Sequence, residues 1–133
     1  MKNYTIVFDG GSKGNPGEAF GSFLIVEEQG QLRTPVRLQL GYATNNEAEY
    51  LSLLSALETL LEELKGRKTK PKSAALKIYG DSQLVINQVN GDWKAKSSKM
   101  RSYRDKIIRY LIRFYNVESI HQSRKKTVKI LGH

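Results

Sequence analysis

Three acidic side chains stand where the surrounding sequence makes them costly. Asp9 closes the apolar run Tyr4-Thr5-Ile6-Val7-Phe8, and Glu49 lies within Thr44-Asn45-Asn46-Glu47-Ala48-Glu49-Tyr50. Asp81 follows Leu76-Lys77-Ile78-Tyr79-Gly80. A fold that gathers a carboxylate from a strand end, another from a helix and a third from a second strand end must offset their mutual repulsion. Cations between them do so, and a divalent metal site is the leading reading. Glu47 is a different case. Two residues from Glu49 on a regular helix, it points about 200° away and reads as a first-turn helix charge.

The elements that must position these acids are visible in the pattern. Tyr4 to Phe8 is β-branched and aromatic and runs into a dense turn signal, Asp9-Gly10-Gly11-Ser12-Lys13-Gly14-Asn15-Pro16-Gly17. Ala19 to Glu27 and Leu32 to Tyr42 read as the next two strands, with Gln29-Gly30-Gln31 at the hairpin tip. From Asn45 or Asn46, either a plausible N-cap, the period becomes helical to about Leu64, with Gly66 as the stop. The apolar stripe of that helix runs from Ala48 through Leu54, Leu57 and Leu60 to Leu64. Ala75 to Tyr79 is a fourth strand and Ser82 to Val89 a short helix.

Lys99 to about Tyr115 is expected as a long amphipathic helix with Tyr103, Ile107, Ile108, Leu111, Ile112 and Phe114 inside. Val117 to His121 makes a fifth strand, in which His121 serves the structure. Val128, Ile130 and Leu131 form a final helical turn. The order predicts an α/β fold: a five-stranded mixed sheet, an antiparallel meander and then parallel strands, flanked by helices. Residues 1–133 read as one domain.

Composition narrows the function. The chain has no cysteine, so disulfides and thiolate ligands are excluded, in keeping with a cytoplasmic home. No apolar run approaches a membrane span, and the first residues lead straight into a strand rather than a secretory leader. The net charge of +9 is unevenly divided. Residues 1–64 carry four Lys and Arg against nine acids, net −5; residues 65–133 carry eighteen against four, net +14. An acidic half beside a strongly basic one suits a polyanion held while metal chemistry acts on it.

Asp9-Gly10-Gly11-Ser12-x-Gly14-Asn15-Pro16-Gly17, Thr44-Asn45-Asn46-x-Ala48-Glu49 and Asp81-Ser82-Gln83 together resemble the three successive signatures of type 1 ribonuclease H. They occur in that family's order and on the elements it uses. The resemblance implies a ribonuclease H-like fold and an endonuclease that cleaves the RNA strand of RNA–DNA hybrids, leaving 5′-phosphate and 3′-hydroxyl ends. It implies two Mg²⁺ ions, or Mn²⁺ in their place, with Asp9 shared between them and Glu49 and Asp81 completing the ligand set. Gly10, Gly11, Ser12, Asn15, Asn45 and Gln83 resemble the groups that line the hybrid's minor groove and sense the 2′-hydroxyl. Thr44 is similarly matched to a DNA-strand phosphate. Neither a membrane nor a protein partner is implied.

The match departs from the family at two places. Some members carry a basic helical insertion where this chain has only Asn90-Gly91-Asp92-Trp93-Lys94-Ala95-Lys96, so it resembles the short, handle-less branch. Binding then falls to Lys94, Lys96, Lys99, Arg101 and Arg104 or to the basic tail, with Trp93 read as packing at the helix entry. The family's closing pattern, Arg-x-x-Asn-x-x-Ala-Asp, meets Arg124, Thr127 and, at the acid's position, Leu131. His133 is the candidate replacement for the missing fourth carboxylate, as a ligand or a proton relay. The alternative function is a non-catalytic hybrid- or duplex-binding module on the same fold.

Overall fold

Alternation along the first strand sets up the whole molecule. In β1 (Lys2–Lys13), Tyr4, Ile6 and Phe8 point into the core. Antiparallel partners follow as β2 (Gly17–Glu27) and β3 (Val36–Ala43), and β4 (Ala74–Gly80) and β5 (Asn116–His121) add on the other side in parallel. The sheet order is β3-β2-β1-β4-β5, with β1 at the centre. The computed structural model describes residues 1–132. Four helices complete it: α1 (Asn45–Gly66), α2 (Gln83–Val89), α3 (Ser98–Leu111) and α4 (Arg124–Leu131).

Helix α1 is the main partner of the sheet. Leu53, Leu57, Leu60 and Leu64 are fully buried against Ile6, Phe8, Ile25, Leu76 and Ile78. Each such leucine contributes about 1.5–3 kcal/mol relative to an exposed one. Its N-cap is Thr44 rather than Asn45 or Asn46. The Thr44 hydroxyl accepts from the Glu47 amide at 3.1 Å, and Glu47 Oε1 accepts from the Thr44 amide at 2.9 Å. This reciprocal capping box satisfies two amide donors, which an asparagine one residue later would leave bare. At the other end Gly66 is still helical, and the left-handed residue is Lys68, with φ 56°.

Other boundaries moved for physical reasons. Strand β1 runs on through Gly10-Gly11-Ser12 because the ladder with β2 continues to Lys13↔Glu18. Strand β3 starts at Val36, after Pro35 and a fully exposed Leu32. Helix α3 stops at Leu111, not near Tyr115. Two tight turns, from the Arg113 amide to the Tyr110 carbonyl and from the Phe114 amide to the Leu111 carbonyl, fold Phe114 back into the core. Ile112, expected inside, is 73% exposed as a result. The final turn is a full eight-residue helix, α4, capped by Ser123 and held at its end by Arg37, whose guanidinium donates to the Gly132 carbonyl at 3.3 Å.

Candidate metal centre

Adjacent parallel strands deliver two of the acids. β1 and β4 pair in register up to Phe8↔Gly80, so Asp9 and Asp81 emerge side by side at the same sheet end. Glu49 arrives from the first turn of α1, and Gly10 lets it come close. A Cβ on residue 10 would stand 2.5 Å from the Ala48 carbonyl group and 2.7 Å from the Glu49 amide. Only glycine permits that approach of strand to helix.

One oxygen from each of Asp9, Glu49 and Asp81 lies within 4.8 Å of the others. Asp9 is buried, and its Oδ1 accepts from the Gly10 amide at 2.9 Å. Glu49 Oε2 is buried without a hydrogen-bond partner among the described residues. Desolvation, reinforced by the charges of Asp81 and Asp9, pushes the Glu49 carboxyl from its ordinary 4.5 up to about 8. Arg124 and a hydrogen bond from Ser82 oppose that shift. An orphaned carboxylate oxygen facing two further acids is the donor set a hard divalent cation takes, so the residues fit the implied Mg²⁺ or Mn²⁺.

Arg124 is the residue that sequence reasoning missed as part of the site. From the first turn of α4 its Nη1 lies 3.2 Å from Asp81 Oδ2 and 3.8 Å from Asp9 Oδ1, with the side chain 73% exposed. Its only signal was the match to the family's closing pattern. Leu131, at the position of the absent acid, is fully buried and belongs to the packing of α4. His133 lies outside the described residues. His121 is exposed at the end of β5, opposite Gly80 in the ladder.

Three of the residues expected to meet substrate are hydrogen-bonded to one another. Asn45 Oδ1 accepts from the Ser12 amide at 2.8 Å, and Asn15 Oδ1 accepts from the Asn45 amide at 2.9 Å. Ser12, Asn15 and Asn45 thus join the turn after β1 to the start of α1, beside Thr44. The Ser12 hydroxyl is buried with no partner among the described residues. The space at Gly11 is filled by the Phe20 ring, 3.1 Å from where a Cβ would be. Gln83 is exposed in the first turn of α2, two residues beyond Asp81.

Glu47 points away from the site, as its helical phase requires. Besides its capping role it pairs with Lys99 at 2.6 Å, and the hydrogen bond from Lys99 holds its carboxyl below the usual range. Trp93 is half-buried beside the start of α3, whose N-cap Ser97 and Met100 line the same cleft. It is 47% exposed, in a cleft of about 700 Å³ with Asn46, Lys94, Lys96 and Met100. The connector is fixed by buried Gln88, which accepts from the Tyr50 hydroxyl and donates to the Lys94 carbonyl at 3.2 Å. Among the expected binding cations, Arg101 donates to the Lys96 carbonyl at 2.7 Å and Arg104 pairs with Asp105 at 2.9 Å.

Comparison with known proteins gives a consistent result. The model of a family described as reverse transcriptase-like matches residues 7–128. A ribonuclease HI of Halobacterium salinarum is 35% identical over 97 residues, which is 73% of this chain and 45% of that protein. The chain therefore spans under half the length of that curated relative. The crystal structure of RNase H1 from the same archaeon superposes with a TM-score of 0.82 at 30% identity, covering 96% of this chain and 91% of the other. LC11-RNase H1, solved in complex with an RNA/DNA hybrid, also gives a TM-score of 0.82 at 30% identity, covering 96% and 90%.

Proposed function

The chain belongs to the reverse transcriptase-like family and, within it, to the type 1 ribonucleases H; from that premise we propose that it is an endonuclease acting on the RNA strand of RNA–DNA hybrids. The reading includes two divalent ions, Mg²⁺ or Mn²⁺, and products with 5′-phosphate and 3′-hydroxyl ends. The observation that carries it is the convergence of three carboxylates from distant segments to within 4.8 Å of one another, one of them, Glu49, with a buried oxygen that has no hydrogen-bond partner among the described residues. Hybrid binding by the similar LC11 protein supports the choice of substrate.

In this reading Asp9 is the ligand shared by the two ions, with Glu49 and Asp81 completing the set. Divalent ions held there would supply positive charge for the phosphorane and for both the attacking and leaving oxygens. Everything else is the work of the chain. Glu49, whose carboxyl burial and the neighbouring acids push up to about 8, would give up a proton on becoming a ligand. Arg124 screens Asp9 and Asp81 from each other and, once they are committed elsewhere, offers its planar fork to a substrate phosphate. The hydroxyl of Ser12 and the amides of Asn15, Asn45 and Gln83 can both donate and accept, which reading a 2′-hydroxyl demands. Placement in the cytoplasm belongs to this same reading; no helix among the described residues is long and apolar enough to cross a membrane.

A second reading draws on Arg124 and Leu131. A guanidinium already answering two of the acids, with a buried leucine at the fourth acid's position, would suit a module that binds hybrids without cutting them. One experiment separates the two. Labelled RNA–DNA, RNA–RNA and DNA–DNA duplexes are incubated with and without Mg²⁺ or Mn²⁺, alongside Asp9→Asn. Metal-dependent cutting of the RNA in the hybrid alone, abolished by Asp9→Asn with hybrid binding retained, is expected. Intact hybrid at every ion concentration would leave the binding module.

A further inference from the structure

The end of the sheet opposite the acids carries a second cationic feature that hybrid cleavage does not use. Lys65, Lys68, Lys70 and Arg113 line a cleft of about 440 Å³ between the end of α1, the segment leading into β4 and the chain just past α3. Glu62 is the one acid in its lining. Among the described residues none of these four cations has an ion pair within 4 Å. The contrast with their neighbours is sharp, because Lys2 and Arg67 at the same end both reach Glu27, and Arg33 reaches Glu63 at 2.6 Å.

Helix dipoles do not account for the cluster. Cations at a helix C-terminus are favourable only within the last turn. Lys65 occupies that position on α1, but Lys68 and Lys70 lie beyond the cap of α1, and Arg113 beyond that of α3. Lys68 also holds a left-handed φ of 56°, which glycine or asparagine adopts at less cost. On either side of Arg113 in the chain, Ile112 is 73% exposed and Tyr115 66% exposed. The Tyr115 amide donates to the Ala74 carbonyl at 3.0 Å, seating it next to the Lys70–Ser73 segment.

Unpaired cations in a groove, with an exposed tyrosine two residues past Arg113 in the chain, match the chemistry of single-stranded nucleic acid, whose phosphates take the charge and whose bases stack. We infer that this cleft binds a single-stranded RNA or DNA segment, separately from the hybrid at the carboxylates. The two places are well apart. Glu49 and Lys65 are sixteen residues apart on α1, about 24 Å along its axis. A straight duplex across one end of the sheet does not cover the other. A single-stranded overhang, flexible and unpaired, is the part of a hybrid substrate able to cross the gap. An acidic protein would need only the charge and would leave Tyr115 unexplained.

The test measures binding directly and does not depend on cleavage. Fluorescence anisotropy follows a labelled single strand, a blunt hybrid and the same hybrid with a single-stranded overhang, with polyglutamate as competitor. The comparison uses the full chain, the triple variant Lys68→Glu, Lys70→Glu, Arg113→Glu, and Tyr115→Ser. The expected result is tighter binding of the overhang substrate than of the blunt one. The triple variant should lose that preference, and its log–log salt dependence for single strands should flatten by about 2 for three lost contacts. Tyr115→Ser should weaken single-strand binding roughly tenfold with the salt dependence unchanged. Equal affinity for blunt and overhang hybrids, an equal loss on both in the triple variant, or displacement by polyglutamate at equal charge would overturn the inference. Failure of the nuclease reading would show only in the cleavage assay.

Discussion

Glu49 pays most heavily for its place in the site, because it is the acid that desolvation and two neighbouring charges act on together. Its carboxyl sits at about 8 when no cation is bound, against an ordinary 4.5. Between those values the folded chain keeps a proton that the unfolded chain has lost. Stability of the metal-free protein therefore falls as pH rises through that window and should recover when Mg²⁺ is added. Melting temperatures measured across the window with chelator and with Mg²⁺ check this; parallel curves would refute it. The same acid separates itself from its neighbour. Glu49→Gln should cost about a thousandfold or more in hydrolysis, as loss of a metal ligand does. Glu47→Gln should cost only a little stability, since the lost partner Lys99 is exposed, and leave turnover within a few-fold. A reversed order in single-turnover rates would show that the wrong glutamate had been assigned. This distinction was legible in the sequence because helical phase is a strong constraint. Arg124 was not legible as a site residue, since nothing local to residue 124 announces a contact with Asp81, forty-three positions away.

Among the elements, what periodicity controls was legible in the sequence and what tertiary packing controls was not. The strands, their order and the leucine stripe of α1 followed from local pattern. The cap at Thr44 did not, because the pattern pointed to Asn45 or Asn46, whereas the Asn45 amide and side chain are tied to Asn15 and Ser12. The end of α3 was misplaced because Ile112 and Phe114 fit its stripe, whereas the chain turns there to start β5. α4 raises the sharpest question at this scale. Its Leu131 occupies the family's acidic position, yet it is a core residue with no exposed surface. Restoring the acid by Leu131→Asp should therefore destabilise the protein by about 3 kcal/mol or more, through a lost apolar anchor and a buried polar group. A chemical denaturation curve gives the answer. An unchanged midpoint would mean that α4 can turn this position towards the carboxylates.

At the scale of the molecule, two unlike ends are joined by one rigid part. The acidic first half of the chain and its basic second half do not form separate domains. They interleave, so that acids cluster where β1 and β4 finish and unpaired lysines gather where β4 begins. The charge division was visible in the sequence, but its geometry was not, because the count of Lys and Arg says nothing about which ones find partners. Helix α1 touches both ends. Its 22 residues make a strut about 33 Å long, pressed along the sheet by its buried leucines and so unable to flex or shorten. That stiffness turns the protein into a yardstick. Affinity for substrates with progressively longer unpaired tails should stay flat until the tail spans the strut, then rise in one step; a smooth increase from the first added nucleotide would mean that no fixed interval is being measured.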